Sequence, residues 1–92
     1  MIRITFDPAK NARNIAERGL PFALVAELDW AAAVATGDTR WDYGERRSVV
    51  VAPLNDRLHV AVITMRGDAV HVISFRKANK KEIRKYGQTW ES

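Results

Sequence analysis

Residues 47–76 read RSVVVAPLNDRLHVAVITMRGDAVHVISFR, and this stretch decides the fold. It holds three runs rich in Val and Ile, Arg47 to Ala52, Leu58 to Arg66 and Val70 to Arg76. Pro53-Leu54-Asn55-Asp56 and Gly67-Asp68 separate them. β-Branched runs punctuated by turn residues at this spacing predict three hairpin-linked strands, a meander. With Gly67-Asp68 as the turn, Arg66 falls opposite Ala69 and Arg76 opposite His59, which makes Arg57 and Arg76 neighbours. With residues 53–56 as a loop, Ala52 falls opposite Arg57 and Arg47 opposite Val62, roughly 16 Å from Arg57. Two basic clusters are expected: Arg57 with Arg76 and the lysines that follow, and Arg66 with Arg46 and Arg47.

Upstream, Ile2 to Phe6 alternates as a short strand. Asp7-Pro8 then supplies an N-cap and a proline at the first helical position, which predicts a helix from Pro8 to Arg18 ended by Gly19. Phe22, Val25, Ala26 and Trp30 fall at helical spacing after Pro21, so a second short helix is expected from Pro21 to about Leu28. Ala31 to Thr36 reads as a weak strand before the turn residues Gly37-Asp38. Downstream, Asn79 is placed to cap a last helix and Glu82 to complete its capping box, with Ile83, Tyr86 and Trp90 as the apolar stripe. The sum is one α+β domain over residues 1–92. Its expected form is an antiparallel sheet with a C-terminal three-strand meander, two N-terminal helices and a C-terminal helix, the helices covering one face.

The charge is concentrated. Residues 76–86 carry Arg76, Lys77, Lys80, Lys81, Arg84 and Lys85 against Glu82, a net of +5, whereas the whole chain of 92 residues is +4. A basic excess at one strand end and the helix after it is the footprint of a surface that meets phosphates. With no cysteine in the chain, disulfides, zinc-thiolate sites and cysteine nucleophiles are excluded. His59 and His71 fall about 15 Å or more apart on the predicted register, too far to share a metal, so each reads as an ordinary sheet residue. Neither Ser48 nor Ser74 has a glycine-elbow context, and the glycines form no phosphate-cradling pattern. No metal or cofactor is expected. No apolar run nears the roughly 18 residues that span a bilayer, and Met1 to Phe6 lacks a signal-peptide layout, so a cytoplasmic location is expected.

Several strings resemble the BrnT toxins of bacterial type II toxin-antitoxin systems, a branch related in fold to the RelE-like ribonucleases. They are Phe6-Asp7-Pro8 with Lys10 and Asn14, Arg18-Gly19-Leu20-Pro21-Phe22, Glu45-Arg46-Arg47, Thr64-Met65-Arg66-Gly67, and above all Ile73-Ser74-Phe75-Arg76-Lys77-Ala78 with Glu82 and Tyr86. The chain departs from the family pattern at Arg18, where a histidine is usual, and at Phe75, where a small residue is usual. The resemblance implies a metal-independent endoribonuclease held inactive by a cognate antitoxin, a small ribbon-helix-helix protein of BrnA type, through which alone DNA would be reached.

RNA can be cut without a metal if its own 2′-hydroxyl attacks the adjacent phosphate, a route that needs a base, a clamp for developing charge and a proton donor. Arginine is a clamp and not a base. Arg76 and Arg57 are therefore the expected grip on the scissile phosphate. Tyr86 is the expected proton carrier, with Lys77 or Lys80 as substitutes, and Arg47, Arg66, Lys77 and Lys80 are expected to bind RNA. Tyr86 also shares the apolar stripe of its helix, and Glu82 fits a cap better than a catalyst. Trp41 could stack on a base if exposed. The other readings of the same basic face are a non-catalytic nucleic-acid-binding module and a protein-interaction module.

Overall fold

The computed structural model describes the backbone of residues 2–38 and 46–91 and the side chains of residues 2–37 and 46–86. Trp41, Glu45 and the side chain of Trp90 lie outside the described residues. The elements run β1 (Ile4–Phe6), α1 (Pro8–Arg18), 3₁₀ turns over Phe22–Glu27 and Trp30–Ala32, β2 (Val34–Asp38), β3 (Arg47–Leu54), β4 (Arg57–Arg66), β5 (Ala69–Lys77) and α2 (Lys80–Glu91). One five-stranded sheet has the order β1-β5-β4-β3-β2.

The meander forms as expected over β3, β4 and β5. The sheet is nonetheless mixed and not antiparallel, because β1 pairs parallel to β5, Ile4 with Val70 through Phe6 with Val72. Strand β2 closes the other edge, antiparallel to β3. Gly37-Asp38, expected as a turn, continues β2 opposite Ser48 and Arg47. The expected helix from Pro21 to Leu28 is a 3₁₀ segment, Phe22–Glu27, closed by Leu24 N–H to Pro21 O and Leu28 N–H to Val25 O. Seven residues between Pro21 and Asp29 are too few to propagate an α-helix against its nucleation cost.

Helix α1 has the predicted bounds. The Asp7 carboxylate accepts from Ala9 N–H at 2.8 Å, and Gly19 ends the helix at φ +67°, where an L side chain would be strained. Asn14 is buried in α1 and donates from Nδ2 to Leu20 O at 2.8 Å and to Phe75 O at 3.0 Å. Among the described residues, β5 has no strand partner on that side beyond Phe6. Asn14 thus satisfies a carbonyl on an otherwise open edge and fixes α1 against it.

The two sheet faces are covered by different elements, which corrects the expectation of helices on one face. On one side Val50, Ala52, Ala61, Ile63, Val72 and Phe75 pack under Phe22, Val25 and Leu28. On the other, Val51, Leu58 and Val60 pack under Ala78, Ile83 and Tyr86.

The β3–β4 turn is tighter than expected, with Leu54 opposite Arg57 and Asn55 at φ +54°. A second departure lies in β5, where Val62 pairs with Ser74 but Ile63 with Val72, leaving Ile73 as an extra residue in a β-bulge. Arg66 meets Ala69 as read from sequence, while Arg76 slides to face Val60 and His59 faces Lys77. The bulge reverses the alternation along β5. Val72 and Phe75 both reach the larger core, and Arg76 turns toward α2.

Candidate active site

Strand β4 alternates without interruption. Leu58 and Val60 lie under α2, so Thr64 and Arg66, an even number of residues on, lie on that same face. In β3 the same parity links Val51 and Val49 to Arg47, and Thr64 Oγ1 donates to Arg46 O, bringing the start of β3 against β4. His71 pairs with Thr64 from β5. Among the described side chains, Ile83 and Tyr86 of α2 pack at the Leu58–Val60 end, and Arg47, Arg66 and His71 line a groove at the other.

Lys10 joins them because Asp7-Pro8 passes straight from β1 into α1. The resulting groove has a volume of about 450 Å³ and is lined by Lys10, Arg47, Arg66 and His71 beside Val72 and Ile73. Lys10 and Arg66 are exposed, while Arg47 and His71 are half-buried. Thr5 Oγ1 lies 2.9 Å from His71 Nδ1, a bond that orients the imidazole. Among the described residues lining the groove the acid is Asp7, which is engaged as the cap of α1. A groove lined by three cationic side chains and an imidazole suits an anion, and the described residues contain no cluster of three His, Cys, Asp or Glu that could hold a metal ion.

The expected clamp is arranged differently. Arg76 donates from Nη1 to Glu82 Oε1 at 2.7 Å and from Nη2 to Glu82 Oε2 at 2.8 Å, a bidentate pair. Those hydrogen bonds hold the Glu82 carboxyl at about 2, well below the usual carboxylate range, and raise the already high Arg76 value further. Glu82 also accepts from Asn79 N–H at 2.9 Å while its own N–H donates to Asn79 Oδ1 at 2.8 Å, the reciprocal capping box read from the sequence. Arg57 falls on the opposite sheet face by alternation, and its Nη2 reaches Ala78 O at 3.4 Å. Arg57 and Arg76 do not converge.

Tyr86 packs with Ile83 on Val51, Leu58 and Val60, with Lys85 Nζ 5.3 Å from its ring centroid. That is the end of the sheet remote from the groove, roughly 13 Å along β4 from Val60 to Thr64. Lys77 and Lys80 are exposed, Lys77 at the rim of a second hollow with Arg18, Leu20, Arg76 and Asn79. Of the residues expected to meet RNA, Arg47 and Arg66 share the groove. Lys10 and His71, which also line the groove, were not among the expected site residues. Lys10 stood only in the family-like string after Phe6-Asp7-Pro8, and it reaches the groove through a β1–β5 pairing between segments more than sixty residues apart.

His59 is buried, its ring stacked on Phe75 with centroids 5.3 Å apart and Nδ1 2.8 Å from Arg57 O. Burial pushes its pKa below the ordinary 6.5, with Lys77 and Arg57 adding in the same direction and the bond to Arg57 O opposing. Phe75, one of the two departures from the family pattern, is thus a core side chain.

A family model described as the ribonuclease toxin BrnT of type II toxin-antitoxin systems matches residues 6–82. Among solved structures, the ribonuclease toxin BrnT of Brucella abortus is similar, with a TM-score of 0.66 and 26% sequence identity. The match covers 87% of this chain and 100% of that one. No curated protein matches the sequence.

Proposed function

This chain belongs to the BrnT family of ribonuclease toxins of type II toxin-antitoxin systems, and from that premise we propose that it cuts RNA in the Lys10–Arg47–Arg66–His71 groove without a metal. The observation that carries the reading is that Lys10, Arg47 and Arg66 line one groove with His71, whose imidazole Thr5 orients. The 2′-hydroxyl oxygen attacks the adjacent phosphorus and the bond from phosphorus to the 5′-oxygen breaks, leaving a 2′,3′-cyclic phosphate and a 5′-hydroxyl. Arg47, Arg66 and Lys10 offset the charge that builds on the phosphoryl oxygens. His71 carries the proton, because an imidazole is the side chain whose ordinary titration lies near neutral pH. Arg76 and Glu82 act at a distance by docking α2.

The family implies an antitoxin partner and an RNA target. The antitoxin we propose is a ribbon-helix-helix protein that blocks the groove, and the site of action is the cytoplasm. No helix among the described residues is long and apolar enough to cross a membrane. Expressing the chain alone tests this: growth arrest that Arg66→Ala relieves, with the variant folded and abundant, supports the groove. Undiminished arrest by that variant contradicts it.

A further inference from the structure

The groove does not stop at Lys10. A smaller hollow of about 160 Å³ begins at Lys10 and Ile73, both of which also line the groove, and runs along α1 past Arg13 to Arg18. Arg18 also lines the next hollow, of about 410 Å³, which ends at Arg76, Lys77 and Asn79. The three concavities therefore share walls and make one continuous surface around the α1 side of β5. From Lys10 to Arg18 it extends about 12 Å by helical rise. Beyond Arg47 and Arg66 of the groove, its cations are Lys10, Arg13, Arg18 and Lys77 beside the α2-bound Arg76, and the acids that line it among the described residues are Glu17 and the helix-capping Asp7.

Building on the proposed groove, we infer that this surface is a track for the flanking backbone of single-stranded RNA, with Arg13, Arg18 and Lys77 gripping phosphates beyond the scissile one. Spaced cations along a shallow path suit a flexible polyanion, whose affinity rises with each neutralised phosphate. A protein-docking surface is centred on exposed apolar anchors. The large apolar side chains exposed among the described residues are Ile15 and Met65, and neither lines the track. Arg18 is held for this role by its bond from Nη1 to Asn14 Oδ1, 2.8 Å, on the residue that fixes α1 to β5.

The test uses the full chain and two fluorescent 2′-O-methylated RNAs, of 12 and 3 nucleotides, which cannot be cut through the 2′-hydroxyl. Anisotropy titrations at several salt concentrations should show the 12-mer bound more tightly than the 3-mer. In the Arg13→Gln/Lys77→Gln variant that preference should fall by roughly tenfold, and the 12-mer's slope of log affinity against log salt should flatten by about 1.4. Circular dichroism checks that the variant is folded, and Arg13→Lys/Lys77→Arg should restore the slope. An unchanged slope and preference, or lost antitoxin affinity with RNA binding intact, would overturn the track. If the expected binding changes occur but unmodified RNA is never cut, the track stands and the nuclease site fails.

Discussion

Arg76 of β5 and Glu82 of α2 are joined by two hydrogen bonds of 2.7 and 2.8 Å, and the same carboxylate caps α2 through Asn79 N–H. One acid therefore fixes the helix start and its attachment to the sheet. Its pKa is lowered from 4.5 to about 2, so the stabilisation is complete above the unfolded value and fades as pH falls from about 4.5 toward 2. Glu82→Gln keeps the cap geometry and removes the charge. The expected loss near neutral pH, discounted for solvent screening, is about 1–2 kcal/mol, and the acid limb of a urea-denaturation series should flatten. The proposed cleavage groove, at the other end of the sheet, should retain most of its activity.

Asn14 carries the junction between α1 and the open edge of β5. Asn14→Leu removes both donors to Leu20 O and Phe75 O and the acceptor for Arg18. Leaving those carbonyls unpaired in a buried setting should lower stability by about 2–4 kcal/mol. Thermal melts check this, and the midpoint should fall by clearly more than for a substitution at exposed Ala12.

His59 predicts a separate acid response. Its pKa is depressed by burial, so its contribution is full above the unfolded value near 6.5 and is lost as pH falls through the lower folded value. His59→Phe keeps an aromatic ring against Phe75 and removes the titration. Stability between pH 4.5 and 6.5, above the range of Glu82, should become less pH-dependent in the variant. An identical pH slope there would contradict the assignment.

Arg66 is exposed at the end of β4, where replacement disturbs no core packing. Arg66→Ala should reduce cleavage by about 10²-fold through lost charge stabilisation, with a change in stability under about 1 kcal/mol. Arg66→Lys should recover part of the rate but not the two-pronged grip of a guanidinium. Single-turnover cleavage set beside denaturant midpoints separates these effects.

Local signals were legible and long-range ones were not. Asp7-Pro8 and Gly19 fixed both ends of α1, the Asn79–Glu82 box was readable three residues apart, and Gly67-Asp68 set Arg66 against Ala69. The parallel β1–β5 pair had no local cue, because its register is set by burial of Ile4 and Phe6 against a distant strand. The bulge at Ile73 was equally silent, since Val-Ile-Ser-Phe alternates acceptably in either register. That one residue decides whether Arg76 shares a face with Val72 or turns to Glu82. Part of the groove was legible, since Arg47 and Arg66 were recognisable as a basic end of the sheet. His71, judged only by its distance from His59, was passed over although it stands among them.

In the proposed reaction His71 moves the proton for an attack by the RNA's own 2′-hydroxyl. Its most direct test is digestion of a defined RNA in the presence of chelator, with the ends mapped, for the native chain and for His71→Gln. The expected result is chelator-insensitive cleavage that leaves 2′,3′-cyclic phosphate and 5′-hydroxyl ends, slowed by about 10²–10⁴-fold in the folded variant. Ends bearing a 3′-hydroxyl, cleavage abolished by the chelator, or a His71→Gln rate equal to that of the native chain would contradict it.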